Sequence, residues 1–390
     1  MERKMYMREV VIVEAVRTPV GKRNGLLSGI RADELAAKPL EEVVKRARIS
    51  AEIIDDVILG CVSQIGEQSF DIARVAALMA GYPIEVPGTT VDRQCGSSQQ
   101  AVHFAAQAIA SGDMDVVVAG GIENMSRVPI GSNRLDVKFS EDLTSKYEMI
   151  HQGLSADRIA EKWGFTREEM DEFSFDSHKK AIQAQKEGRF DKEIMPIKVT
   201  LEDETKTVLT NDEGPREDTN QEKLGTLKPA FKEDGRITAG NSSQISDGAN
   251  AILLMSREKA GELGLKPKFR VLARSVVGSD PTLMLTGPIP ATKKVLEKAG
   301  LTIDDIDVFE VNEAFASVPM AWLKETGADS DKLNPNGGAI SLGHPLGASG
   351  GRLMITMIHE LERTGGRYGL QTMCEGHGMA NATIIERIDN

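Results

Sequence analysis

Ile49-Ser50-Ala51-Glu52-Ile53-Ile54-Asp55 runs into the apolar stretch Asp56-Val57-Ile58-Leu59. Leu301-Thr302-Ile303-Asp304-Asp305-Ile306-Asp307 resembles it without a gap and runs into Val308 to Val311. In each place the pattern predicts a helix before and a buried strand after, so the chain reads as two similar halves. A second match follows in the same order. Cys95 opens a helix that leads to a strand and Gly120-Gly121, and His344 opens a helix that leads to a strand and Cys374.

Outward from this repeat, Val10-Val11-Ile12-Val13, Asp115 to Ala119 and Ala251-Ile252-Leu253-Leu254 join Asp56 to Leu59 as short apolar runs bounded by polar residues or glycine. Such runs are expected to be buried parallel strands. Helical patterns lie between them at Asp33 to Ala47 and at Gln99 to Ala110, the latter with Val102, Ala105 and Ile109 on one stripe. Alternation of this kind predicts an α/β layered fold. Residues 126–244 differ from both halves. They are rich in charge, hold the polar run Leu201 to Asn220 and an amphipathic helix from Thr166 to Glu187, and read as an excursion inserted into the first half to cover a site. A solubilising surface insertion is the plain alternative.

Composition narrows the function. A chain of 390 residues with 40% hydrophobic content can bury a large core. Its net charge of -12 argues against a broad nucleic-acid surface, so an anionic ligand must find a local positive site. No run reaches the roughly 18 apolar residues of a membrane span. Met1 to Arg8 is charged and does not read as a secretory signal, which places the protein in the cytoplasm. Three cysteines at 61, 95 and 374 lack paired spacing and suit a reducing compartment better than a disulfide framework.

Val91-Asp92-Arg93-Gln94-Cys95-Gly96-Ser97-Ser98 sets a cysteine where a strand gives way to a helix. Free N–H groups and the helix dipole there are expected to lower its pKa and supply a nucleophile. A small buried cysteine is the bland reading, and Gly96 weighs against it by letting backbone approach a ligand. Asn334-Pro335-Asn336-Gly337-Gly338-Ala339-Ile340-Ser341-Leu342-Gly343-His344-Pro345-Leu346-Gly347-Ala348-Ser349-Gly350-Gly351 wraps glycine about one histidine, as for a base that activates a nucleophile. A phosphate loop competes, but the Gly-Lys-Ser/Thr ending is absent. Cys374-Glu375-Gly376-His377-Gly378 sets a second sulfur at a strand end, and Asn312-Glu313-Ala314-Phe315-Ala316 does the same for an amide. Two cysteines and a histidine could form a zinc set, yet their wide separation speaks against metal. Cys61 reads as core.

Together the cysteine turn, Asn-Glu-Ala-Phe-Ala, Gly-His-Pro-Leu-Gly-Ala-Ser-Gly and Cys-Glu-Gly-His-Gly resemble the thiolase family over essentially the whole chain. The resemblance implies duplicated βαβαβαββ halves forming a layered α-β-α-β-α core with an inserted loop domain. The first half is then residues 1–125 plus 245–268, the loop domain that covers coenzyme A is 126–244, and the second half is 269–390. It implies coenzyme A thioesters as substrates, no bound cofactor or metal, and a homo-oligomer, a dimer or a tetramer of dimers. Cys95 matches the acylated nucleophile, His344 its base, and Cys374 the second acid/base. Asn312, with His344, matches a water-holding oxyanion site, and the N–H groups of Cys95 and Gly376 match another. His151 and Ser243 match contacts to the pantetheine arm, and Arg216 a contact near the nucleotide.

The implied activity is reversible thiolytic cleavage of 3-ketoacyl-CoA, as in β-oxidation, or condensation of acetyl-CoA, by an acyltransferase. A decarboxylating ketoacyl synthase of the same fold is the nearest rival, and Cys374 argues against it. A non-catalytic CoA- or lipid-binding relative would lack Cys95 or His344. Gln152, Ser98, His377 and Ala380 depart from common family residues, and the Cys-Gly-Ser-Ser form leans toward degradative members.

Overall fold

The computed structural model describes residues 7–201 and 203–388; most of the charged start read above, and Glu202 of the polar run, lie outside the described residues. Twelve strands are described: β1 Val10–Arg17, β2 Gly21–Lys22, β3 Asp56–Gly60, β4 Gly88–Val91, β5 Val116–Asn124, β6 Ile197–Thr200, β7 Lys206–Leu209, β8 Ser246–Ser256, β9 Phe269–Gly278, β10 Val308–Val311, β11 Tyr368–Glu375 and β12 Met379–Arg387. Ten of them form one sheet path, β10-β11-β12-β9-β1-β8-β5-β3-β4, with β2 beside β8. This order is a near palindrome about the short β1–β9 contact, where Val11 faces Arg270 and Ile12 faces Phe269. The symmetry extends further, because Leu333 bridges Phe309 in parallel where the first half sets β4 beside β3.

Alternating side chains build the layers. Val116 and Val118 face one way, onto Leu35, Leu40 and Val43 of the Ala32–Ala47 helix. Val117 and Ala119 face the other way, onto a middle layer made of the Ser97–Ser111 and Leu346–Thr364 helices. Val308 of the second half meets that same middle layer, whereas Phe309 points outward to Val295 and Trp322. The period of two along each strand therefore alternates between the two layers it touches. The result is α-β-α-β-α stacking, as the family resemblance implies.

Strand direction corrects one expectation. β3 runs parallel to β4 and β5, but β8 is antiparallel to both β1 and β5, and β12 is antiparallel to β9 and β11. A strand buried on both faces is uniformly apolar in either direction, so the apolar runs at 10–13 and 251–254 carried no sign of their polarity. The expected helices appear at Ala32–Ala47, Ser97–Ser111 and Arg167–Lys186, the last closed by a capping box of Thr166 and Glu169. Within the polar run, Lys206–Leu209 pairs with Ile197–Thr200 as a small hairpin. Among the described residues, no helix is long and apolar enough to cross a membrane.

The middle helices touch where they begin. A methyl group on Gly350 would lie 2.7 Å from Gln99 N, and one on Gly121 would lie 2.2 Å from Gly347 O. Gly351 N donates to Ser98 Oγ at 2.8 Å. Much of the glycine expected to wrap a ligand thus lets the helices and β5 approach each other beneath the site.

Candidate active site

Cys95 sits in a tight turn between β4 and the Ser97–Ser111 helix. Gln94 takes a left-handed conformation with φ 49°, Ser97 Oγ donates to Gln94 O at 2.6 Å, and the same oxygen accepts from Arg93 N at 2.9 Å. The sulfur is buried and packs with Leu346 and Met373, the neighbours of the His344 turn and of Cys374. Its pKa is not lowered as expected. Burial pushes the thiol far up, and the Cys374 sulfur and Glu375 carboxyl add to the rise, outweighing the helix end.

His344 is buried just before the Leu346–Thr364 helix, where its N–H donates to Gln244 O and Ser246 Oγ, each at 3.1 Å. Its Nδ1 lies 2.5 Å from Ser349 Oγ, and Ser349 Oγ donates to Pro345 O at 2.8 Å. A hydroxyl has one proton, so Ser349 accepts from Nδ1–H and leaves Nε2 with a free lone pair. Nε2 has no protein partner. Burial and the Arg352 cation lower the imidazole to about 3, so it is neutral and available as a base.

Cys374 lies within β11 rather than after it, paired with Ala380, and β11 ends at Glu375. Asn312, directly after β10, donates from Nδ2 to Cys374 Sγ at 3.5 Å. Burial raises this thiol to about 11, against the smaller pull of the Asn312 bond. Gly376 opens the turn to β12, and a methyl group on it would lie 3.1 Å from both Gln152 Nε2 and Gln94 Oε1. A larger residue there would have to push both glutamine side chains back by a few tenths of an ångström.

Ser242 to Ser246 stitch these pieces together. Ser243 N donates to Ala314 O at 2.9 Å, beside Asn312, while Gln244 receives the His344 N–H and spends its own amide on Gly214, Ile340 and Ser341 carbonyls. His151 caps the Gln152–Trp163 helix through Nδ1 and stacks on Phe231 at 5.0 Å, and Phe231 meets Phe315 at 5.8 Å. This aromatic file runs from the excursion to the Asn312 segment. Arg216 stands at the margin with its side chain exposed, its N–H donating to His178 Nδ1 at 3.1 Å.

Three carboxylates escaped the sequence reading. Glu123 accepts from Val62 N, Ser63 N, Gln68 Nε2 and Gly347 N at 2.7–3.0 Å, joining β5 to the turn after His344. Glu313 accepts from Ser177 Oγ at 2.7 Å, Asn334 Nδ2 at 2.9 Å and Ile340 N at 3.2 Å, anchoring the glycine-rich segment to β10. Glu375, next to Cys374, is buried with no partner. For Glu123 and Glu375 a charge set at the end of an apolar strand was the available signal, whereas Glu313 follows β10.

Comparison with known proteins decides the family. The thiolase N-terminal domain model matches residues 10–258 and the thiolase C-terminal domain model matches residues 265–387. The chain belongs to the thiolase family. It is 52% identical to the steroid 3-ketoacyl-CoA thiolase FadA6 of Mycobacterium tuberculosis, over 99% of this chain and 96% of that one. It is 44% identical to the beta-ketoadipyl-CoA thiolase of Escherichia coli, over 98% of this chain and all of the relative. The crystal structure of the Bacillus anthracis acetyl-CoA acetyltransferase superposes with a TM-score of 0.92 at 41% identity, covering 99% of this chain and 100% of that one. This thiolase is accordingly an acyltransferase, and coenzyme A thioesters are the substrates that fit its family.

Proposed function

We propose that this thiolase cleaves 3-ketoacyl-CoA with free coenzyme A, and runs the reverse condensation, through an acyl group carried on Cys95. His344 Nε2 takes the Cys95 proton as the sulfur attacks the 3-keto carbon. The C2–C3 bond breaks, the departing C2 takes a proton from Cys374, and acetyl-CoA leaves. Free coenzyme A then gives its thiol proton to Cys374 and attacks the acyl carbonyl carbon, the carbon–sulfur bond to Cys95 breaks, the shortened acyl-CoA leaves, and Cys95 recovers its proton from His344. Every proton has a donor and an acceptor in this cycle, so no resident cofactor is assigned.

The observation that carries the reading is the protonation pattern. Cys374, raised to about 11, is a thiol at neutral pH and can act as an acid, while His344, lowered to about 3, is a base with its Nε2 free. Asn312, with His344, is assigned to hold the water of one oxyanion site, and the N–H groups of Cys95 and Gly376 form the other. Each such donor is worth on the order of 3 kcal/mol to the barrier. We assign His151 and Ser243 to the pantetheine arm, supported by their contacts toward Phe231 and Ala314, and Arg216 to the nucleotide end.

The domain division 1–125 plus 245–268, 126–244 and 269–390 belongs to the same reading, supported by the way the chain leaves the sheet between β5 and β8. A cytoplasmic location is supported by three free, buried cysteines. A homo-oligomer built through β4 is supported by that strand's place at the sheet edge and by exposed Phe70, Leu78, Met79 and Ile84 close by in the chain.

Incubation with acetyl-CoA tests the central claim. Mass spectrometry is expected to find an acetyl group on the Cys95 peptide and none in Cys95→Ala. An unmodified Cys95 in turning-over enzyme would sink the proposal. CoA-dependent cleavage across a series of 3-ketoacyl chain lengths then fixes the substrate.

A further inference from the structure

Asp212-Glu213-Gly214-Pro215-Arg216 is a strap of the excursion whose first three residues are each tied to the core. Asp212 accepts from Arg17 Nη1 and Nη2 at 2.6 and 2.9 Å and from Val20 N at 2.7 Å. Glu213 accepts from Leu26 N at 3.1 Å, and Gly214 O accepts from Gln244 Nε2 at 3.0 Å. A methyl group on Gly214 would lie 2.4 Å from Ser341 O, so the strap lies directly on the backbone that leads to His344. Pro215 then fixes one backbone dihedral.

Arg216 is where the strap turns outward. Its N–H donates to Nδ1 of His178, a buried residue of the Arg167–Lys186 helix, at 3.1 Å, whereas its side chain stands in solvent. Nδ1 accepts only when it carries no proton, so the imidazole is neutral with its proton on Nε2. Burial favours that state by lowering the ring to about 4. The helix that presents His178 is itself anchored, since Ser177 Oγ accepts from Gly338 N at 3.2 Å. Beyond Arg216 the two exposed carboxylates are already matched, Glu217 with Lys186 and Asp218 with Lys223, both at 2.9 Å. Among the described residues, no carboxylate pairs with the Arg216 guanidinium. A cation is thus held by its backbone and left open at its tip.

We propose that His178 is a positioning residue for coenzyme A: by accepting the Arg216 N–H it fixes where the arginine side chain leaves the strap, so that the guanidinium meets the nucleotide phosphates from a backbone already ordered. The inference rests on the assignment of Arg216 to the nucleotide end. A long side chain rooted in a loose loop would lose backbone as well as rotamer freedom on binding, a cost that weakens affinity without touching the chemistry. Such a role acts only on substrates that carry the nucleotide.

Steady-state thiolysis by the full-length enzyme, with acetoacetyl-CoA saturating and either coenzyme A or pantetheine as the thiol, tests this, because pantetheine lacks the nucleotide. His178→Phe keeps a ring but has no acceptor; it is expected to raise KM for coenzyme A about fivefold with kcat little changed, and to leave KM for pantetheine within about twofold of wild type. His178→Asn places an amide oxygen near the Nδ1 position and should restore most of the affinity for coenzyme A. A folded phenylalanine variant with the wild-type KM for coenzyme A, or with equal rises for both thiols, overturns the proposal. Should that variant fail to fold, hydrogen exchange in the wild-type enzyme decides: the Arg216 amide is expected to exchange at least about tenfold more slowly than those of Glu217 and Asp218, and equal rates overturn the proposal. Arg216→Ala separates the two readings. It is expected to raise KM for coenzyme A more than for pantetheine; if it does not, the nucleotide assignment falls and this inference with it. A selective effect of Arg216→Ala with none from His178→Phe defeats this inference alone.

Discussion

On the proposed cycle, the two halves use the same frame for opposite ends of one proton transfer. In each, a turn delivers a side chain just before a helix of the middle layer. The first half delivers the thiol of Cys95 and the second the imidazole of His344. What differs next is the connection that follows the strand after that helix. In the first half β5 and β8 are separated by residues 125–245, whereas in the second β11 and β12 are joined by Gly376 to Gly378. The long connection carries His151, Arg216 and Ser243, and the short one carries Gly376 just beyond Cys374 of β11. A duplicated scaffold thus specialised through loop length while its core layers stayed alike.

Replacing the delivered groups breaks the comparison most severely. Cys95→Ala is expected to lower kcat/KM by about 10⁴ or more, and His344→Ala by about 10³, measured as CoA-dependent cleavage of acetoacetyl-CoA. Cys374→Ala separates the tasks: acetylation of Cys95 by acetyl-CoA continues, while exchange of the acetyl-CoA α-protons falls about a hundredfold or more. Exchange at the wild-type rate would remove Cys374 from its assigned role. Ser349→Ala leaves His344 in place but frees its tautomer, and a loss of about tenfold in kcat with little change in KM is expected.

The smallest effect is on stability. His103 on the first middle helix bonds Thr383 Oγ1 at 2.7 Å, and burial lowers it, like His344, to about 3. A histidine whose folded pKa lies below its unfolded value binds protons mainly when unfolded, so its contribution is lost as pH falls below about 6.5. Each should cost on the order of 2 kcal/mol by pH 5, giving a Tm that declines over that window and declines less in a folded His103→Gln variant.

Much of this was legible in the chain. The repeat at 49–55 and 301–307 located the helices before it and the strands after it, and the short 3-10 turn that each copy forms was not read from the sequence. Cys95, His344, Asn312 and Cys374 stood out because glycine or a strand end surrounds each. The antiparallel course of β8 did not, since an apolar run has no arrow. Nor did the raised pKa of Cys95, which comes first from burial and then from Cys374 and Glu375 arriving from the far end of the chain. Glu123 and Glu313 were missed for a related reason: an isolated glutamate resembles a surface residue until the backbone N–H groups that surround it are known.

Glu313 has one last implication. It belongs to the second half, yet its carboxylate is held in part by Ser177 from the long connection of the first, and Ser242 bridges Phe315 across the same seam. Cutting the polypeptide between the Arg257–Glu262 helix and β9 would leave each fragment with severed buried polar contacts and an incomplete candidate site. Split-gene complementation should therefore succeed only when both pieces are produced together.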